Sequence, residues 1–116
     1  DRAIADLGKS ISLEPKYAVA YFNRGNALRE IGDYGRAIVD YDRAINLNPK
    51  NAEYLNSRCW VRALTGTRLD EAQRDCDAAL ALSDNAPYVL DSRGLVGLKR
   101  RHFEGAWADY DAALKA

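Results

Sequence analysis

Apolar and small residues recur along this chain at intervals of three and four, the spacing of a buried helical face. Tyr21, Gly25 and Leu28 line one face of one such stretch, and Ala37, Tyr41, Ala44 and Ile45 line one face of the next. Polar positions fall between them, so each stretch predicts an amphipathic helix of about 13 residues. Gly25, Ala37 and Ala44 are small enough for two helices to approach closely, and Tyr34 and Tyr41 fill the space beside them. Turn residues punctuate the pattern. Gly32-Asp33 supplies a helix stop and the next N-cap. Asn48-Pro49 ends the second stretch. Thr67, with Asp70 three residues on, predicts a variant of the capping box. Pro87 suits a first helical turn. Composition agrees: 19 Ala and 13 Leu stand against 12 Val, Ile and Thr together, a balance that favours helix over strand.

The pattern repeats. Pro15 and Pro49 are 34 residues apart. YFNRGN (21–26), LNSRC (55–59) and LDSRG (90–94) align as first halves of a unit. AIVDYDRAI (37–45), AQRDCDAAL (72–80) and AWADYDAAL (106–114) align as second halves. Residues 1–13, DRAIADLGKSISL, are a second half without its first.

On these residues the chain resembles the tetratricopeptide repeat family, whose period is 34. Residues 18–51 form repeat 1, with Tyr21, Gly25, Leu28, Gly32, Tyr34, Ala37, Tyr41, Ala44 and Pro49 at the family's places. Residues 87–116 form repeat 3, which lacks its final loop and has Arg101 where a turn glycine is expected. Residues 52–86 form repeat 2 and depart most, with Cys59 for the glycine, Cys76 for the aromatic, Asp84 for the proline and one inserted residue near Arg68. Residues 1–17 are the second helix of a partial repeat plus its loop. The resemblance implies an all-α fold of seven helices. Antiparallel pairs would stack into a right-handed superhelical solenoid of about three and a half repeats, with first helices lining a concave groove.

Charge and motifs narrow the chemistry. The 116 residues carry 17 Lys+Arg and 17 Asp+Glu. A net charge of zero argues against broad nucleic-acid binding, which needs excess positive charge. No apolar run approaches the roughly 18 residues of a membrane span. The one histidine, His102, lies in the run Lys99-Arg100-Arg101-His102, read as positive charge favouring a helix end. No nucleophile motif, phosphate loop or metal-ligand spacing is present, so no catalytic residue, metal or cofactor is expected. Cys59 and Cys76 fall in the two helices of one repeat. A disulfide is geometrically conceivable there, but two reduced core thiols are the expectation.

Arginine and aspartate also recur in register. Arg24, Arg58 and Arg93 hold the seventh place of their repeats, and Asp6, Asp40, Asp75 and Asp109 recur within the second helices. Each of Asp6, Asp40 and Asp75 precedes an arginine by 18 residues. This predicts a partly buried ion-pair ladder between each first helix and the second helix before or within its repeat, with a structural role.

The family resemblance implies that the groove binds an extended or helical segment of another protein. Candidate groove residues are Phe22, Asn23, Asn26, Asn56, Trp60, Tyr88, Asp91 and Leu95. The large apolar ones would anchor, and the Asn amides can pair with a peptide backbone as donor and acceptor. The basic clamp that some family members use for acidic chaperone tails is nearly absent, since only Asn23 matches it. A structural spacer or self-association segment is the alternative reading. Phe103, Trp107 and Tyr110 lie on the last helix with no following helix to cover them. The chain is therefore expected to be a piece of a longer protein, or to self-associate through exposed terminal helices. The Arg-Gly style of repeat is similar to that of many bacterial members. Compartment is undetermined, with the cytoplasm slightly favoured.

Overall fold

The computed structural model describes residues 2–116. Asp1, the first residue of the expected partial repeat, lies outside the described residues. The chain divides into two compact units, residues 1–50 and 51–116. Unit 1 holds α1 (Arg2–Leu13), α2 (Ala18–Glu30) and α3 (Tyr34–Leu47). Unit 2 holds α4 (Ala52–Thr65), α5 (Leu69–Ser83), α6 (Pro87–Lys99) and α7 (Phe103–Lys115). Every regular element among the described residues is helical, so the fold is all-α with seven helices.

Within each unit, consecutive helices pack on one another. They run antiparallel: one turn forward on α4, from Arg58 to Arg62, is one turn back on α5, from Asp75 to Glu71. Small residues set how close the helices come. A Cβ added to Gly25 would fall 2.7 Å from Tyr41 Cε1, and one added to Gly94 would fall 2.8 Å from Tyr110 Cζ. The tyrosine rings therefore lie directly on glycine, and Tyr41 is fully buried. Apolar burial of this kind contributes roughly 1.5–3 kcal/mol per large side chain.

Repeat 2 solves the same contact differently. Cys59 and Cys76, both fully buried, are joined in a disulfide with their Cα atoms 5.7 Å apart. The expectation of two reduced thiols is corrected. Each cysteine alone reads as a small core residue, whereas the antiparallel pairing brings the two backbones to a separation a disulfide can span.

The turns follow the residue chemistry, with two departures. Asp33 caps α3 by accepting from the Arg36 N–H at 3.3 Å, and Asn51 caps α4 by accepting from the Tyr54 N–H at 3.0 Å. Pro87 opens α6. The Thr67 capping box does not form. Thr67 Oγ1 instead lies 2.8 Å from Thr65 Oγ1, and the residue before α5 is Arg68 at φ 51°. The residue inserted in repeat 2 is thus absorbed by a left-handed backbone position beside the helix start.

The second departure is Arg101. At the end of α2, Gly32 takes φ 83°, its N–H donates to the Arg29 carbonyl, and the Asp33 N–H donates to Leu28. At the end of α6 the same pair of bonds runs from Arg101 to Leu98 and from His102 to Gly97, with Arg101 at φ 65°. A side chain there opposes the left-handed conformation that glycine accepts freely. Arg101→Gly is expected to stabilise the chain by up to about 1 kcal/mol, seen as a higher thermal midpoint. A lower midpoint would mean that the Arg101 side chain contributes more than its backbone costs.

Candidate functional site

Three arginines on the first helices meet carboxylates on the second helix of the same repeat. In unit 1, Arg24 Nε and Nη2 each donate to Asp40 at 2.7 Å. In unit 2, Arg58 donates to Asp75 at 2.8 and 2.7 Å, and Arg93 donates to Asp109 at 2.8 Å through both nitrogens. All three are two-pronged pairs, the strong geometry for guanidinium and carboxylate. Hydrogen bonding to these carboxylates raises the pKa of Arg24 and of Arg93 above the ordinary arginine value.

The 18-residue spacing is not the contact. Asp6 is largely exposed and lies 3.9 Å from Arg2 on its own helix. Arg24 approaches α1 at Gly8 instead. Arg93 does reach back to the preceding second helix, but to Asp77 at 3.1 Å and not to Asp75. Sequence reasoning missed Arg62. It is buried, donates to Asp75 at 3.1 Å and lies 3.4 Å from Glu71. The signal for it was the eleventh place of the repeat, held by Leu28 in repeat 1 and Gly97 in repeat 3.

The candidate groove residues divide by unit. In unit 1, all three lie on α2. Phe22 is only 7% exposed, and its ring lies 5.8 Å from that of Tyr41. Its reading as an exposed anchor is corrected: it is a core residue. The Asn26 amide oxygen accepts from the Tyr41 hydroxyl at 2.7 Å, so that acceptor is already engaged. Burial pushes the Tyr41 phenol up to about 12, which keeps it a neutral donor. Asn23 is exposed.

In unit 2, α4 and α6 pack side by side. Glu53, Asn56, Trp60 and Leu64 form one stripe along α4, at helical intervals of three and four. Tyr88, Asp91, Leu95 and Leu98 form the corresponding stripe along α6. None of the eight is fully buried. Trp60, Leu95 and Asn56 are half-buried, and Tyr88 is 46% exposed. Between the stripes' partners in the sequence, Ser57 and Ser92 are buried, and the Ser92 hydroxyl donates to the Tyr88 carbonyl. The Asn56 amide oxygen is buried and has no hydrogen-bond partner among the described residues.

A cavity of about 510 Å³ also opens in unit 2, lined by Arg93 and Gly97 of α6, by Arg100 just beyond its end, by residues of α7 and by Gln73 of α5. Its arginines are already matched: Arg93 by Asp109 and Asp77, and Arg100 by Asp70 at 3.1 Å. His102 follows the end of α6, where its N–H donates to the Gly97 carbonyl, and it is also the residue before α7. Among the described residues no helix is long and apolar enough to cross a membrane.

Known proteins share the helical fold. Residues 18–51 match the family description "Tetratricopeptide repeat". RNA polymerase II-associated protein 3 of Xenopus tropicalis is 28% identical over 133 aligned residues, covering 99% of this chain and 20% of that protein. The chain thus spans about a fifth of that relative's length. Curated relatives from frog, plant, trypanosome and human are all eukaryotic, and they give no support to a bacterial style of repeat. Among solved structures, a crystal structure of MamA protein superposes with TM-score 0.85 at 25% identity, covering 97% of this chain and 61% of that one. The structure titled "First TPR of Spaghetti (RPAP3) bound to HSP90 peptide SRMEEVD" superposes with TM-score 0.78 at 24% identity, covering 84% and 77%, and shares the fold. From the repeated residues, the helix pairing and these likenesses together, residues 18–51 are a tetratricopeptide repeat and the chain has the fold of tetratricopeptide repeat proteins.

Proposed function

We propose that this chain is a non-catalytic protein-interaction module, and that the α4/α6 face of unit 2 takes a peptide or helical segment of a partner protein. The observation that carries the reading is the Asn56 amide oxygen. It is a buried acceptor without a partner among the described residues, on the same stripe as Trp60. A buried polar atom left unpaired is costly, and a peptide N–H would satisfy it. Trp60, Leu64, Tyr88, Leu95 and Leu98 offer apolar area on either side. Half-buried aromatic anchors beside a few aimed polar groups are the usual make-up of a peptide-binding surface.

The charge on this face favours one kind of ligand. Glu53 and Asp91 are exposed carboxylates on the two stripes, with Lys99 at the far end of α6. The peptide named in the RPAP3 structure's title is acidic. The places a basic clamp would need in unit 2 are here Glu53, Ser57, Tyr88 and Ser92, and none is a cation. An apolar segment that is neutral or mildly basic is the better match. Asn23 and Asn26 on α2 extend the same reading to unit 1, with Asn26 contributing its amide N–H groups. The arginine–aspartate pairs hold helix register and do not contact ligand.

Selection from a displayed peptide library tests this. The expected ligands are apolar with a basic residue. Their affinity should fall at least about tenfold in Trp60→Ala, close to 1.4 kcal/mol, with the helical circular-dichroism spectrum unchanged. Ligands that bind Trp60→Ala and Tyr88→Ala as tightly as the wild type would place binding elsewhere. The spacer or self-association reading draws on Phe103, Trp107 and Leu114, all strongly exposed on α7. It would show as a solution mass that rises with concentration and a library selection that yields nothing.

A further inference from the structure

We propose that the Cys59–Cys76 disulfide is the covalent substitute for the glycine–tyrosine contact of the other repeats, and that it makes the α4–α5 pair of unit 2 redox-sensitive. Cys59 stands at the place of Gly25 and Gly94, and Cys76 at the place of Tyr41 and Tyr110. In those repeats the tyrosine ring lies on the glycine, with no room for a Cβ between them. Repeat 2 has neither partner. It has two side chains of intermediate size, bonded to each other and shielded entirely from solvent.

Neither cysteine can supply the ring that fills this position elsewhere. The bond holds the helices together where repeats 1 and 3 use a ring face. Two unbonded thiols need more room than a bonded pair, and a packed core concedes room only by shifting. Reduction also removes a cross-link between residues 17 apart, and with it the restriction on the unfolded chain. Both effects favour opening of α4 from α5 in the reduced protein. The reaction is an exchange with a dithiol. The dithiol supplies two electrons and two protons and becomes a cyclic disulfide. The Cys59–Cys76 bond breaks, and each sulfur leaves as a thiol. Because both sulfurs are buried, a dithiol reaches them only when the helix pair opens, so local stability and redox state are coupled.

The test is thermal unfolding of the oxidised chain with and without excess dithiothreitol, with thiols counted in denaturant. The oxidised protein should show no free thiol, and the reduced protein two. Reduction should lower the midpoint by about 10–20 °C and remove hydrogen-exchange protection first from α4 and α5. The double variant Cys59→Gly/Cys76→Tyr restores the glycine–tyrosine pair. It should melt within a few degrees of the oxidised wild type and be indifferent to dithiothreitol. The proposal is overturned if mild oxidation leaves both thiols free, or if the reduced wild type melts within about 2 °C of the oxidised one. A double variant that does not fold overturns the substitution, since the ring then cannot take the disulfide's place.

Discussion

Asp75→Ala is expected to destabilise the protein by about 3–5 kcal/mol, the cost of removing one partner from a buried charge cluster. Asp75 accepts from Arg58 through both nitrogens at 2.8 and 2.7 Å and from Arg62 at 3.1 Å. The side chains of Asp75 and Arg62 are 8% and 9% exposed, so water cannot replace the carboxylate without the helices parting. Among the described residues Arg62 would keep only Glu71, while its Nε already lacks a partner there. Chemical denaturation measures the loss directly. Asp70→Ala is the control. Asp70 also pairs with an arginine, at 3.1 Å from Arg100, but its side chain is largely exposed, and such pairs contribute about 0–1 kcal/mol. Adding Arg62→Leu to Asp75→Ala should recover part of the loss, because Leu28 fills that place in repeat 1 and is nearly fully buried there. A loss under about 1 kcal/mol in Asp75→Ala would mean that the arginines are hydrated and the pairs carry no register.

Gly25→Val should cost about 3 kcal/mol or more. The new Cβ would lie 2.7 and 2.9 Å from Tyr41 ring carbons and 3.3 Å from the Ala37 carbonyl oxygen. The ring cannot yield. It is fully buried, its hydroxyl is held by Asn26, and it packs against Phe22. Gly94→Val meets Tyr110 at similar distances, but that ring is only half-buried, so the loss should be smaller. Gly35→Ala has open space around it and should stabilise α3 by up to about 1 kcal/mol, the helix preference of alanine over glycine. Opposite signs for additions at Gly25 and Gly35 would locate the effect in the tyrosine contact. Equal signs would mean that backbone preference alone decides.

Much of the fold was legible residue by residue. Tyr21, Leu28, Ala37, Tyr41 and Ala44 are buried where the three-and-four spacing puts them, and Asp33 caps α3. Short-range rules work here because a helix closes its own hydrogen bonds, and a turn is governed by its few residues. The exceptions were also local in position but not in cause. Thr67 and Asp70 carry the letters of a capping box, yet the inserted residue rotates the chain at Arg68 and the box does not close. Phe22 lies at a groove place by register, yet its ring is drawn into the core beside Tyr41.

By itself the sequence determined the helices, their pairing in units of 34 and the presence of arginine and aspartate at matching places, because each follows from a period or from a single side chain's preference. Tertiary structure decided which arginine meets which carboxylate, since a ladder with several acceptors in reach is settled by helix separation and not by spacing. It decided that Arg62 joins Asp75, that Asn56 keeps a buried oxygen without a partner among the described residues, and that Cys59 and Cys76 are bonded to each other. Those outcomes depend on distances between two helix surfaces, and packing sets such distances to within an ångström only when both surfaces are in place.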